Sequence, residues 1–303
     1  MLYHFIAFLT VAIWGTTFVS TKVLLTHGLT PAFIFLLRFS LAYVGMAAMQ
    51  MAHDHDKPTW HCHSWRDEGL MLLAGMTGGS FYFLTENTAL QLALAGNVSL
   101  IVCLAPLITA LFACFIPGNK RAGRRLWTGS LIAFTGVAFV AYGSMGTGTA
   151  SNPLLGNVLA LLSASSWSIY QLVIKPLGER YGVLLLTRKV FGYGLLTILP
   201  FVLTEEMPKP EVFAQPVVWG NLLYLGVLAS LICYAVWNRV VEQLGSIVSA
   251  NYIYLNPLVT CIASYFVLGE QLTPTMMVGG FAIVTGLYLV VAPKGGLKRR
   301  KSC

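Results

Sequence analysis

The sequence predicts an all-α integral membrane protein, with ten transmembrane helices arranged as two inverted five-helix repeats. Three observations predict it. Only 10% of residues are charged and 56% are hydrophobic, at a mean hydropathy of +0.73, which leaves too little polar surface for a soluble domain. The apolar residues fall into runs close to the roughly 20 residues that cross a bilayer as a helix. Landmark residues also recur after about 150 positions.

The runs lie at 3–25, 31–52, 69–90, 96–116, 126–144, 154–174, 183–203, 217–238, 247–267 and 274–292. The first could be mistaken for a signal peptide. It lacks a basic leading stretch and a small-residue cleavage site, so it reads as a retained helix. Connections are short except for a His-rich stretch, 53–67, and a Glu/Pro-rich stretch, 204–216. Neither is long or polar enough for an extramembrane domain.

The recurrence divides the chain into halves at 1–145 and 146–303. Trp14-Gly15 stands eight residues before Lys22, and Trp167-Ser168 eight before Lys175. Leu104-Ala105-Pro106-Leu107 returns as Leu255-Asn256-Pro257-Leu258, and Gly129/Gly136 as Gly279/Gly286. If both termini are cytoplasmic, 16 of the 19 Lys and Arg residues lie inside, leaving Lys22, Arg38 and Lys209 toward the outside. Five spans per half is an odd number, so the second half enters the membrane upside down. Secondary transporters use that construction to reach inward-open and outward-open states.

Composition also excludes. The net charge of +8 comes from short basic clusters between apolar runs, without the aromatic-interleaved basic face of a nucleic-acid binder. No phosphate-binding glycine loop is present, which argues against ATP hydrolysis. The six cysteines lack disulfide-framework spacing, and most read as packing residues. All histidines lie in loops or near span ends, so no nucleophile–base or metal constellation for an intramembrane enzyme emerges. The cluster His53, His55, His61, Cys62 and His63 has metal-ligand chemistry but no zinc-module spacing, and reads as a solvated loop. No cofactor is expected.

Several residues stand where transport chemistry would need them. Glu86 lies about one turn inside the third span, and an ionised carboxylate in hydrocarbon normally faces a cavity or a cation. One reading is a proton or cation coupling site, or a counter-charge for a substrate amine; the other is a structural pair with Lys22 or Arg38. Arg38, roughly 10 Å into its span, can grip a carboxylate with its planar fork or can serve as a packing cation. Lys22 is close enough to the interface to snorkel. Pro106 and Pro257, mid-span in both halves, read as paired kinks that free the carbonyls of Val102 and Ile253. Trp14, Tyr82, Asn87, Trp167, Gln171, Tyr234, Asn238, Tyr252 and Asn256 would together supply the aromatic faces and amides of a substrate pocket suited to a zwitterion or organic cation, while each Tyr or Trp taken singly reads as an interfacial anchor or a packing residue.

The run Trp14-Gly15-Thr16-Thr17-Phe18 with Lys22, then Leu37-Arg38-Phe39, Trp167, the stretch from Tyr224 to Leu268 ending in Val267-Leu268-Gly269-Glu270, and finally Gly279 and Gly286, resembles the EamA family of the drug/metabolite transporter superfamily. The first half departs at Ile116-Pro117-Gly118-Asn119, which carries no acid where the second half has Glu270. The resemblance implies a ten-helix inner-membrane carrier with a central cavity, alternating access, and traffic in small metabolites or drugs, often amino-acid export. Multidrug or organic-cation efflux is the first alternative. A nucleotide-sugar carrier would need more cavity cations than Lys22 and Arg38.

Overall fold

The apolar runs fold as helices because a chain facing lipid must satisfy its own backbone groups, and a helix does so within one segment. The computed structural model describes residues 1–53, 62, 64–115, 123–144, 150–178, 180–244, 252–253 and 255–291. No strand occurs among them. The helices are α1 (Leu2–Thr26), α2 (Pro31–His53), α3 (Trp65–Gly75), α4 (Phe81–Leu92), α5 (Ala95–Val102), α6 (Ala105–Ala113) and α7 (Arg124–Ser144). There follow α8 (Pro153–Gly178), α9 (Val183–Thr204), α10 (Pro216–Leu223), α11 (Cys233–Leu244), α12 (Asn256–Leu268) and α13 (Pro274–Val291). Six stretches are long and apolar enough to cross a membrane, with shorter apolar helices beside them. This is a multi-pass membrane protein.

Local chemistry sets the ends. Gly28 takes φ +95°, which only glycine tolerates freely, so Leu29 N–H folds back onto Leu24 O at 3.1 Å and α1 stops. Pro31 then opens α2, where its missing N–H costs nothing. Gly269 does the same at φ +66° after α12, and Glu270 N–H returns to Ser264 O at 3.3 Å. Ser64 caps α3 by accepting from Asp67 N–H at 3.1 Å.

Both prolines fall at interruptions of their spans. The span expected at 96–116 is two helices, α5 and α6, parted by a turn at Cys103 and Leu104. Pro106 sits in the first turn of α6 and Pro257 in the first turn of α12. Each stands in the first turn of a helical segment that follows a turn, where its missing N–H needs no intrahelical partner. Thr109 donates to Ala105 O at 2.8 Å, and Thr260 to Asn256 O at 2.9 Å. The two breaks are therefore finished alike.

Two spans also contain π-helical turns. Met76–Ser80 joins α3 to α4, and Tyr224–Ile232 joins α10 to α11. Shifted by the 151 residues separating Leu104 from Leu255, the first falls at 227–231, inside the second. A π turn widens the hydrogen-bond ladder and exposes carbonyls. Here Trp14 Nε1 donates to Ala229 O at 3.0 Å, and Ser166 Oγ to Thr77 O at 2.7 Å.

Glycine permits the closest helix approach. A Cβ on Gly136 would lie 2.5 Å from Gly279 O, and one on Gly279 would lie 2.6 Å from Gly136 O. The repeated glycines thus join α7 to α13 backbone to backbone, with Gly286 meeting Gly129 one turn pair along. Gly75 and Gly79 bring the α3 rod against Tyr193 and Gly194 of α9.

Candidate functional site

The residues that carry charge into the bundle meet where α2, α4 and the second π segment face one another. Arg38 is 6% exposed and Glu86 4%. They neighbour each other, with Tyr82 beside Glu86 and Tyr82, Tyr224 and Tyr234 around Arg38. Arg38 Nε donates to Ser230 Oγ at 2.8 Å. Its guanidinium carbon lies 4.9 Å from the Phe83 ring centroid and 5.2 Å from that of Phe39. Among the described residues the Arg38 fork has no carboxylate within ion-pair distance, and Glu86 Oε2 has no hydrogen-bond partner. Opposite charges thus stand close without closing on each other.

Aromatic rings extend the cluster both ways. On one side Trp14 packs against Tyr234, centroids 5.8 Å apart, and Trp237, 5.1 Å apart. On the other, Trp167 packs against Tyr82 at 5.0 Å and Tyr170 at 4.8 Å. The duplicated tryptophans thus head two aromatic flanks, Trp14–Tyr234 and Trp167–Tyr82, and the charges of Arg38 and Glu86 act on the tyrosines of both.

Other expected residues fall elsewhere. Asn87 Nδ2 donates to Pro31 O at 2.9 Å, tying α4 to the start of α2. Gln171 is exposed on α8. Tyr252 bonds His4 Nδ1 at 2.8 Å, near the beginning of α1 and ten residues from Trp14, about 15 Å along a helix. Asn256 starts α12 with its buried Oδ1 unpartnered. The side chain of Asn238 and residues 54–61 and 63 of the His-rich loop lie outside the described residues. Among those described, no group of three or more potential metal ligands occurs.

Lys22 neither snorkels nor joins Glu86. Its Nζ donates to Glu270 at 2.8 Å and to Ala93 O at 2.5 Å. Glu270 also accepts from Ala95 N–H at 2.9 Å and Gly96 N–H at 3.4 Å. A carboxylate thus caps the N-terminus of α5, where the helix dipole favours negative charge. Nearby, both oxygens of Glu205 accept from Ala32 N–H at the start of α2, at 3.2 and 3.1 Å. At the opposite end of the bundle, Asp67 accepts from Tyr181 Oη at 2.8 Å and Arg180 at 3.1 Å, while Glu68 binds Lys189 and, at 2.8 Å, Tyr193 Oη. The Tyr181 hydroxyl, more than the Arg180 guanidinium, holds the Asp67 carboxyl below the usual aspartate range.

The sequence reading missed these end clusters and Ser230. Leu268-Gly269-Glu270 offered a signal for one of them, since a glycine closing a helix before an acid aims that acid at a neighbour. Ser230 offered none.

The EamA-like transporter family model matches residues 1–142 and again 154–292, and the chain belongs to that family of membrane transporters. An uncharacterized transporter of Archaeoglobus fulgidus is 27% identical over 290 residues, 95% of this chain and 97% of its own. A probable terminal-alkyne amino-acid exporter of Streptantibioticus cattleyicolor is 28% identical over 97% of this chain and 95% of its own. A probable amino-acid metabolite efflux pump of Escherichia coli is 27% identical, covering 98% and 96%. A solved crystal structure shares the fold with TM-score 0.64 at 20% identity, over 97% of this chain and 99% of that one.

Proposed function

We propose that this chain is a secondary active exporter of amino acids or related small metabolites. It works by alternating access in the cell's inner membrane, with both termini cytoplasmic. The observation that carries the reading is the buried Arg38–Glu86 neighbourhood between the two tryptophan-led aromatic flanks. Intramembrane charges are retained where a substrate or ion uses them, and the pair lies at the join of the two halves, where inverted-repeat carriers bind substrate. The exporter and efflux-pump names of two relatives support the substrate class.

The halves behave as ten spans in two inverted sets of five. The matched helix breaks at Pro106 and Pro257 and the matched π turns support that arrangement. The ends then serve as gates, Lys22–Glu270 outside and Asp67–Arg180 inside, of which at least one must part in each half of the cycle. Glu86 is the group for proton or cation coupling, or the counter-charge for a substrate amine.

Cells overexpressing the chain and preloaded with amino acids through dipeptides should release one or more of them faster than control cells. Unchanged release of every amino acid, together with new tolerance to organic cations, would replace this reading with multidrug efflux.

A further inference from the structure

Taking amino-acid export as its premise, the charge geometry points to the chemical form that the site selects. We infer that Arg38 and Glu86 are the two specificity-determining poles of the transport site, Arg38 receiving the carboxylate of a zwitterion and Glu86 its ammonium.

The argument begins with what each group has left to offer. Arg38 uses Nε on Ser230 and keeps the edge that grips a carboxylate in two parallel hydrogen bonds. Stacking on Phe83 and Phe39 holds the guanidinium plane in place. Glu86 has a buried oxygen, Oε2, with no donor, and a buried acceptor of that kind is costly unless something fills it. The poles are neighbours, yet no ion pair within 4 Å joins them among the described residues.

Charge balance then decides between ligands. Arg38 and Glu86 together carry no net charge, so a zwitterion enters with both poles matched and none added. A simple amine would satisfy Glu86 and leave Arg38 buried and uncompensated. A simple carboxylic acid would leave Glu86 so. An unpaired charge in a desolvated site is strongly unfavourable. The flanking rings of Trp14, Tyr82, Trp167 and Tyr234 add apolar area on both sides, which favours a large side chain.

The test uses the full chain in proteoliposomes, with counterflow of labelled phenylalanine competed by phenethylamine or 3-phenylpropionate. Wild type should prefer phenylalanine to either competitor by roughly 30-fold or more, as expected for truncating one partner of a buried charged contact. Arg38→Met should bring phenethylamine level with or ahead of phenylalanine, and Glu86→Gln should do the same for 3-phenylpropionate. Arg38→Lys and Glu86→Asp keep both charges and should keep the wild-type order with weaker binding, which covers the case in which a neutral variant fails to fold. If wild type carries phenylalanine or other large amino acids but neither neutral variant reorders the competitors, the two poles are not the selectors while amino-acid export stands. A conservative variant that reverses the order overturns the inference as well. If wild type carries no amino acid at all, the export reading fails and this inference fails with it.

Discussion

Lys22 has four methylenes, enough to carry its ammonium along an apolar helix toward water. It does not use them so. Its charge turns inward to Glu270, whose side chain is 5% exposed against 15% for the lysine, and the same carboxylate closes the first turn of α5. Removing the acid leaves a sheltered ammonium and two orphaned N–H groups, whereas removing the lysine leaves a carboxylate still held by the helix end. Glu270→Ala should therefore destabilise the purified protein by about 3 kcal/mol, clearly more than Lys22→Met. In thermal unfolding in detergent, the double variant should lose less than the two single losses added together. Strict additivity would show that the contact carries no coupling. Sequence alone identified Lys22 as a charge needing explanation, but its partner lies 248 positions away, and no spacing rule reaches that far. Glu86 and Arg38 were legible for the opposite reason. An ionisable group inside an apolar run announces itself, whatever its partner.

Helices as elements were legible from hydropathy, and their interruptions were not. Pro106 and Pro257 reveal that something happens mid-span, but a proline that bends a helix and a proline that starts one look alike in sequence. The turn at Cys103–Leu104 made the difference. The π turns left no trace at all, since their residues, Met76-Thr77-Gly78-Gly79-Ser80 in one span and a Leu-rich run in the other, are ordinary for apolar helices. Their carbonyls are taken by side chains from other helices, Trp14 and Ser166, so tertiary contacts decide where the ladder widens. Glycine spacing, by contrast, was informative, because only a missing Cβ lets α7 and α13 meet through their backbones. Gly279→Ala would place a methyl 2.6 Å from Gly136 O, and a rigid carbonyl cannot retreat as a side-chain tip can. That variant should lose roughly 1–3 kcal/mol and show it as a lowered melting temperature in detergent, while Gly220→Ala, with nothing within 4 Å, should melt like wild type.

Among the described residues the ion pairs sit toward the two ends of the bundle, with buried Arg38 and Glu86 between them. On the proposed orientation, with both termini cytoplasmic, the two ends face opposite sides of the membrane. In a chain whose six native cysteines are replaced by serine, a cysteine at exposed Glu206 should react with a membrane-impermeant maleimide from outside intact cells. One at exposed Arg66 should react only after permeabilisation. Labelling of both from outside would contradict the assigned sidedness. The caps at one end carry a further consequence. The first turns of α2 and α5 are closed by Glu205 and Glu270, acids that follow the capped N–H groups by 173 and 175 residues. At ribosomal rates of about 5–20 residues per second, each helix end waits roughly 9–35 s for its carboxylate. During synthesis the first half of the chain therefore stands in the bilayer with two helix ends that only water or lipid headgroups can satisfy, until the second half arrives to close them.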